Sequence, residues 1–196
     1  MRLRSLRIRA LLASGLVLGV GTATTLAVWN DSEFGGATFT AGRFEIVGAT
    51  DGVTFSAHPT APGATLNFQI APTAMVPGTK TYALFSVRSV SPSVVGSVLL
   101  TAGATNGTGL GGYLTYRVRT ITQTTCNLAN FTAGTAVTGL DTAKPLTASA
   151  TASQALLANG GNQVNYCFEV ELPTAAGNAA QGATLTANWE FVGTAS

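Results

Sequence analysis

Apolar and polar residues alternate along much of the chain, which is the period of a β-strand with one buried face. The clearest alternation covers residues 164–172, where Val164, Tyr166, Phe168, Val170 and Leu172 share one face. Longer strands are also predicted at residues 80–90, 113–122 and 185–191. Shorter strands are predicted at residues 37–41, continuing past a β-bulge at Gly42 into Phe44 and Ile46, and at residues 53–57, 66–70, 94–101, 135–138 and 146–150.

The turns between these segments are marked by glycine and proline, and no amphipathic helical pattern follows the N-terminal region. Residues 103–112 are rich in glycine and are predicted to form a mobile connection. About nine short strands in this arrangement predict an all-β fold. We expect an antiparallel β-sandwich with jelly-roll or Greek-key connections, preceded by an N-terminal signal helix.

The first 27 residues have the features of an export signal. Four arginines, an apolar stretch and then small residues precede a predicted cut after Ala27, with Thr25 at −3 and Val28 as the new N-terminus. An uncleaved membrane anchor is the alternative, because the uncharged stretch is just long enough to span a bilayer. With cleavage the chain divides into residues 1–27 (signal peptide), 28–36 (flexible segment) and 37–196 (one β-sandwich domain), with no stable membrane anchor left.

Cleavage also changes the charge balance. The full chain has a net charge of +2, but its four N-terminal arginines leave with the signal, so six basic and eight acidic residues remain. The remaining basic residues are scattered, and nucleic-acid binding is therefore not expected. Composition argues against disorder as well, because hydrophobic residues make up 46% of the chain and charged residues only 9%.

Two cysteines, Cys126 and Cys167, are present in a chain with an export signal, which predicts a disulfide. Two buried free thiols are the alternative. Cys167 shares a strand face with Asn165, Glu169 and Glu171, so the bond is expected to hold a loop across an outer surface.

Catalytic and metal-binding patterns are weak. The only histidine, His58, precedes a proline at a turn, and a Ser-His-Asp site would have to be built on it. Glu169 and Glu171 lie two residues apart on one strand face and are interpreted as solvent-facing side chains, not as a catalytic pair. We therefore expect no enzyme activity, no metal site and no cofactor.

Three motifs in the N-terminal region are specific: Trp29-Asn30-Asp31 after the cut, Ala37-Thr38-Phe39, and a Gly42 turn into Phe44-Glu45-Ile46. In these motifs the chain resembles the TasA/camelysin family, exported proteins of Gram-positive bacteria whose signals are cut by a SipW-type signal peptidase. The resemblance implies a secreted jelly-roll subunit of extracellular biofilm-matrix fibres, with self and the signal peptidase as partners. In such fibres the N-terminal segment adds as a strand to the next subunit.

Carried over residue by residue, the donor is the segment 28–36. Its candidate assembly residues are Val28, Trp29, Asn30, Asp31 and Phe34. The alternative function is a monomeric secreted or cell-surface binding module, which predicts an exposed apolar groove and no assembly.

Overall fold

The computed structural model of the protein describes residues 6–12, 31–69 and 75–196. The chain divides into two units, Met1–Thr40 and Ala41–Ser196. In the first unit residues 6–12 are helical (α1), and residues 31–40 form neither helix nor strand. The predicted cleavage residues Thr25, Ala27 and Val28 lie outside the described residues.

The second unit is mostly β and contains two antiparallel sheets. The larger sheet has the order β1 (Ile46–Ala49), β2 (Lys80–Ser89), β8 (Gln163–Glu171) and β4 (Thr115–Ile121). Two short strands, β5 (Thr135–Ala136) and β6 (Lys144–Pro145), pair with the far side of β4. β2 and β8 pair over nine positions, from Lys80 opposite Glu171 to Arg88 opposite Gln163. β8 is therefore the central strand of this sheet.

The smaller sheet has three strands in the order β7 (Gln154–Leu156), β3 (Gly96–Ala102) and β9 (Trp189–Ala195). β3 and β9 pair over seven positions, from Gly96 opposite Ala195 to Ala102 opposite Trp189. The strands predicted at residues 94–101 and 185–191 correspond to β3 and β9 and are confirmed in type, with shifted bounds, whereas β7 was not predicted.

Side chains from both sheets form one hydrophobic cluster. β8 contributes the face that the sequence predicted, including the fully buried Tyr166 and Phe168, and β3 contributes Val98 and Leu100. Aromatic rings join the two sheets, because Phe85 of β2 stacks on Phe191 of β9 with 4.7 Å between ring centroids. Burial of these apolar faces is the main source of stability.

The other face of the larger sheet is also covered, which the sequence did not predict. A short helix, α2 (Leu128–Ala133), lies over β4 and β8 and contributes Phe131 to a second buried cluster. Asn127 begins this helix, since its side-chain oxygen accepts a hydrogen bond from the Asn130 backbone N–H at 2.9 Å. Six residues are too few to show an amphipathic pattern, so this helix was not predicted.

Cys126 and Cys167 hold this covering segment against the sheet. Their sulphur atoms are at disulfide distance and their Cα atoms are 5.2 Å apart. Both cysteines are buried, so the cross-link lies beneath a covered face and not across an open surface.

Several predicted short strands differ from the structure. Residues 37–41 and 66–69 form no strand, and residues 53–57 contribute only one bridge, between Ser56 and Gly48. Of residues 135–138 only the two residues of β5 form a strand, and residues 146–150 form none. Residue 70, the last of another predicted strand, lies outside the described residues. These segments are too short to bury a face of their own, so the local pattern alone does not decide their structure.

Candidate assembly site

The segment predicted to act as a donor strand is exposed wherever the structure describes it. All residues from Asp31 to Thr40 are exposed, and the side chains of Phe34 and Phe39 keep 96% and 93% of their accessible surface. Val28, Trp29 and Asn30 lie outside the described residues. Two phenylalanine rings left in water are unusual for a folded protein, because each forgoes roughly 2–3 kcal/mol of burial.

One sheet edge in the second unit has no strand beside it. β9 pairs with β3 on one side, and no backbone hydrogen bond reaches its other side among the described residues. Two flanking bonds define which groups point outward: Gly103 N–H donates to Asn188 C=O at 2.9 Å, and Ser196 N–H donates to Val95 C=O at 3.1 Å.

Because the bonded pairs of an antiparallel ladder alternate, the even-numbered residues of β9 bond to β3. The odd-numbered residues therefore turn their N–H and C=O groups toward the open side. These residues are Trp189, Phe191, Gly193 and Ala195.

The other described edges are partly covered or much shorter than β9. Asn162 covers the edge of β7, since its side-chain oxygen accepts from Leu157 N–H at 2.7 Å and its amide donates to Ala155 C=O at 3.0 Å. Ser56 exchanges two backbone hydrogen bonds with Gly48 of β1, at 2.9 and 3.0 Å. The far side of β4 carries β5 and β6. Natural sheets cover their edges in this way to prevent uncontrolled pairing, which makes the bare edge of β9 distinctive.

A large cavity opens beside this edge. Its volume is about 1660 Å³, and it lies between β1, β9 and the irregular segments 57–68 and 176–188. Apolar side chains form much of its wall, among them Ile46, Leu66, Phe85, Leu185 and Phe191. The cavity wall and the free backbone of β9 thus present an apolar surface and unpaired hydrogen-bonding groups side by side.

Trp189 forms part of this wall and is half-buried. Its ring lies 5.1 Å from Phe168 and 5.9 Å from Tyr116, measured between centroids. Together with Leu185, Ala187 and Phe191 it packs against the main cluster, so the inward face predicted for the last strand is confirmed.

Asn106 fixes the start of β9. Its side-chain amide donates to Asn188 C=O at 2.7 Å, and its oxygen accepts from Asn188 N–H at 2.8 Å. The residue is fully buried, and its carbonyl oxygen would lie 1.8 Å from a Cβ atom at position 111, so only glycine fits there. The glycine-rich stretch predicted to be a mobile connection is therefore a pair of short 3-10 turns, Ala104–Gly107 and Gly109–Gly112, that supports the edge strand.

A buried polar cluster lies on the face of the larger sheet that α2 covers, away from the main hydrophobic cluster. Glu169 is only 2% exposed, so the prediction that it faces solvent is wrong. Its carboxylate accepts from Arg117 Nε at 2.8 Å and from the Tyr82 hydroxyl at 2.9 Å, and Lys80 Nζ lies 3.9 Å away. Burial, followed by the hydrogen bond to Glu169, raises the pKa of Tyr82 to about 12. Glu171, by contrast, stays partly exposed and pairs with Lys80 at 3.4 Å.

The geometry of this cluster indicates that it stabilises the fold. The Glu169 charge is matched by Arg117, whose guanidinium also lies 5.2 Å from the Phe131 ring centroid. The carboxylate is therefore held by donors and by the covering helix. The sequence signal for burial was slight: a cysteine two residues before Glu169 on the same strand face.

His58 has one polar neighbour. Its Nε2 lies 3.1 Å from Ser56 Oγ, and both residues are exposed. Within the described part of the chain no carboxylate bonds to the other ring nitrogen, so the orienting group of a catalytic triad is missing there. Residues 6–12, 31–69 and 75–196 contain no group of three His, Cys, Asp or Glu side chains placed to hold a metal ion.

No family model matches the chain, and no curated protein matches it. No helix within the described residues is long and apolar enough to cross a membrane.

Proposed function

We propose that the protein is an exported structural subunit of extracellular fibres or of a biofilm matrix, similar to the TasA/camelysin family. Export removes the signal after Ala27, and the freed N-terminal segment adds as a strand to a neighbouring copy. The proposed fold of each subunit is a β-sandwich with jelly-roll connections, and the cluster shared by the two sheets supports it.

The observation that carries this proposal is an exposed N-terminal segment in a chain that also has one uncovered sheet edge. Phe34 and Phe39 are almost fully exposed, while the outward groups of β9 lie beside an apolar cavity. Strand addition would account for both features, since it buries the phenylalanine rings of the segment and pairs the outward backbone groups of β9 in one step.

The test is assembly of the exported chain at rising concentration, followed by negative-stain microscopy and sedimentation. N-terminal sequencing of the secreted product first establishes whether it begins at Val28, and a product that begins at Met1 refutes the cut. A variant lacking residues 28–41 is expected to keep its β circular dichroism spectrum and to form no filaments. Filaments formed by that variant contradict strand donation by the N-terminal segment.

The cavity also favours a second candidate, a monomeric secreted binding module. A volume of about 1660 Å³ with apolar walls exceeds what a single small molecule needs. This function predicts a chain that stays monomeric at all concentrations and that binds apolar ligands. Sedimentation of the exported chain separates the two candidates.

A further inference from the structure

The best strand pattern in the N-terminal region lies just after the predicted donor. Ala37, Phe39 and Ala41 alternate with Thr38 and Thr40, the sequence of a strand with one apolar and one polar face. In the structure these residues form no strand and are exposed. Phe39 therefore has the pattern of a buried residue, yet no described residue buries it.

Residues 28–36 fit a strand less well. Trp29 and Phe34 are five positions apart, so in an extended chain they point to opposite faces. Two adjacent glycines, Gly35 and Gly36, follow them, and glycine weakens a strand interior. Of the two stretches, only residues 37–41 present a single apolar face.

We infer that residues 37–41 of one copy pair with the open edge of β9 in a second copy, with the Phe39 ring in the cavity beside it. This inference rests on the proposed function and names both halves of its joint. Each paired residue of the added strand meets an outward backbone group of Phe191, Gly193 or another odd-numbered position of β9.

Length and chemistry agree with this pairing. Five extended residues span roughly 17 Å, and the seven residues of β9 span roughly 23 Å, so the added strand fits within the edge. Its apolar face meets a wall that includes Ile46, Phe85 and Phe191, and its threonines face solvent. The side chain of Asn162 and the backbone of Ser56 already bond to the edges of β7 and β1, respectively. Among the described edges, β9 is therefore the one that is free and long enough to receive the added strand.

The decisive experiment compares two phenylalanines in the same exposed segment. Phe39→Ser and Phe34→Ser are made in the full exported chain, and the concentration at which assembly begins is measured by sedimentation and light scattering. Phe39→Ser is expected to raise that concentration at least about tenfold, equivalent to about 1.4 kcal/mol per joint. Phe34→Ser is expected to change it less than about threefold. Circular dichroism checks that both variants remain folded.

A second arm tests the receiving edge. Ala195→Pro removes one outward N–H from β9 and leaves the ladder to β3 intact, and Ala195→Val keeps that N–H as the matched control. The proline variant is expected to assemble less well than the valine variant. In a Trp29→Phe background, Trp189 is the only tryptophan and lines the cavity, so its emission is expected to shift as assembly proceeds.

The outcomes separate the inference from the proposed function. Assembly that depends on Phe34 and not on Phe39 overturns the inference and keeps the fibre function with a donor at residues 28–36. A chain that never assembles overturns both. Assembly with an unchanged Trp189 emission and no difference between the Ala195 variants overturns the β9 edge as the receiving site.

Discussion

Removal of the Glu169 carboxylate is expected to destabilise the fold by about 3 kcal/mol. Truncating one partner of a buried ion pair typically costs 3–5 kcal/mol, because the other charge loses its partner. We expect a free-energy cost at the low end of this range, because the Arg117 side chain is 28% exposed and remains partly hydrated when Glu169 is replaced. The Tyr82 hydroxyl also loses its acceptor.

Glu171 provides a matched control on the same strand face. Its side chain is 26% exposed, and its ion pair with Lys80 reaches water, so Glu171→Ala is expected to cost less than about 1 kcal/mol. Urea unfolding followed by circular dichroism measures both free energies. An Arg117→Met, Glu169→Leu double variant is expected to recover much of the loss, because two apolar side chains leave no unpaired charge.

A cost below about 1 kcal/mol for Glu169→Ala, equal to that of Glu171→Ala, contradicts the buried pairing. So does an Arg117→Met, Glu169→Leu double variant that loses as much stability as the sum of Arg117→Met and Glu169→Leu made singly. Either result means that α2 does not cover this face in solution.

Three further predictions follow from the same contacts. Thiol titration of the unfolded, unreduced protein is expected to find no free Cys126 or Cys167, and replacing both with alanine is expected to cost about 4 kcal/mol from a sequence separation of 41 residues; two titratable thiols contradict this. Trp189→Ala is expected to cost about 3 kcal/mol in denaturant melts, the low end for a tryptophan because the ring is half-buried, and a loss under 1 kcal/mol argues against its inward packing. The free energy of unfolding is expected to fall between pH 10 and 12, because burial raises the pKa of Tyr82 and Tyr116 to about 12 in the folded chain. The unfolded chain therefore loses its tyrosine protons at lower pH than the folded chain. Denaturant melts with the same free energy of unfolding across this range exclude the effect.

Strands that bury one face in the main cluster were predictable from the sequence. β8 is the clearest case, because Tyr166 and Phe168 repeat at the strand period and lie in the core. Coverage of its other face was not predictable, because Glu169 is polar and its partners are distant in sequence. α2 has only six residues, too few to show a helical period, and its one local signal is the Asn127 cap.

For the donor half of the candidate site, the sequence offers a resemblance that places a donor at residues 28–36. This segment contains the exposed Phe34 but not Phe39. The receiving edge depends on which strand has no neighbour, and the alternation within β9 does not contain that information. Asn162 illustrates the same limit, because an asparagine in a glycine-rich turn gives no sign that it covers a sheet edge.

The contrast between covered and uncovered edges gives the strongest reason to connect the two halves. A chain with a bare seven-residue sheet edge beside an apolar cavity is liable to pair with any strand it meets. β1 and β7 avoid this through Ser56 and Asn162, so the fold has the means to cover an edge where pairing is unwanted. β9 has no such cover among the described residues, and the same chain carries an exposed strand pattern around Phe39. Under the proposed assembly, a strand from a second copy covers the edge with the chain's own sequence, and the open edge is then a specific joint instead of a general hazard.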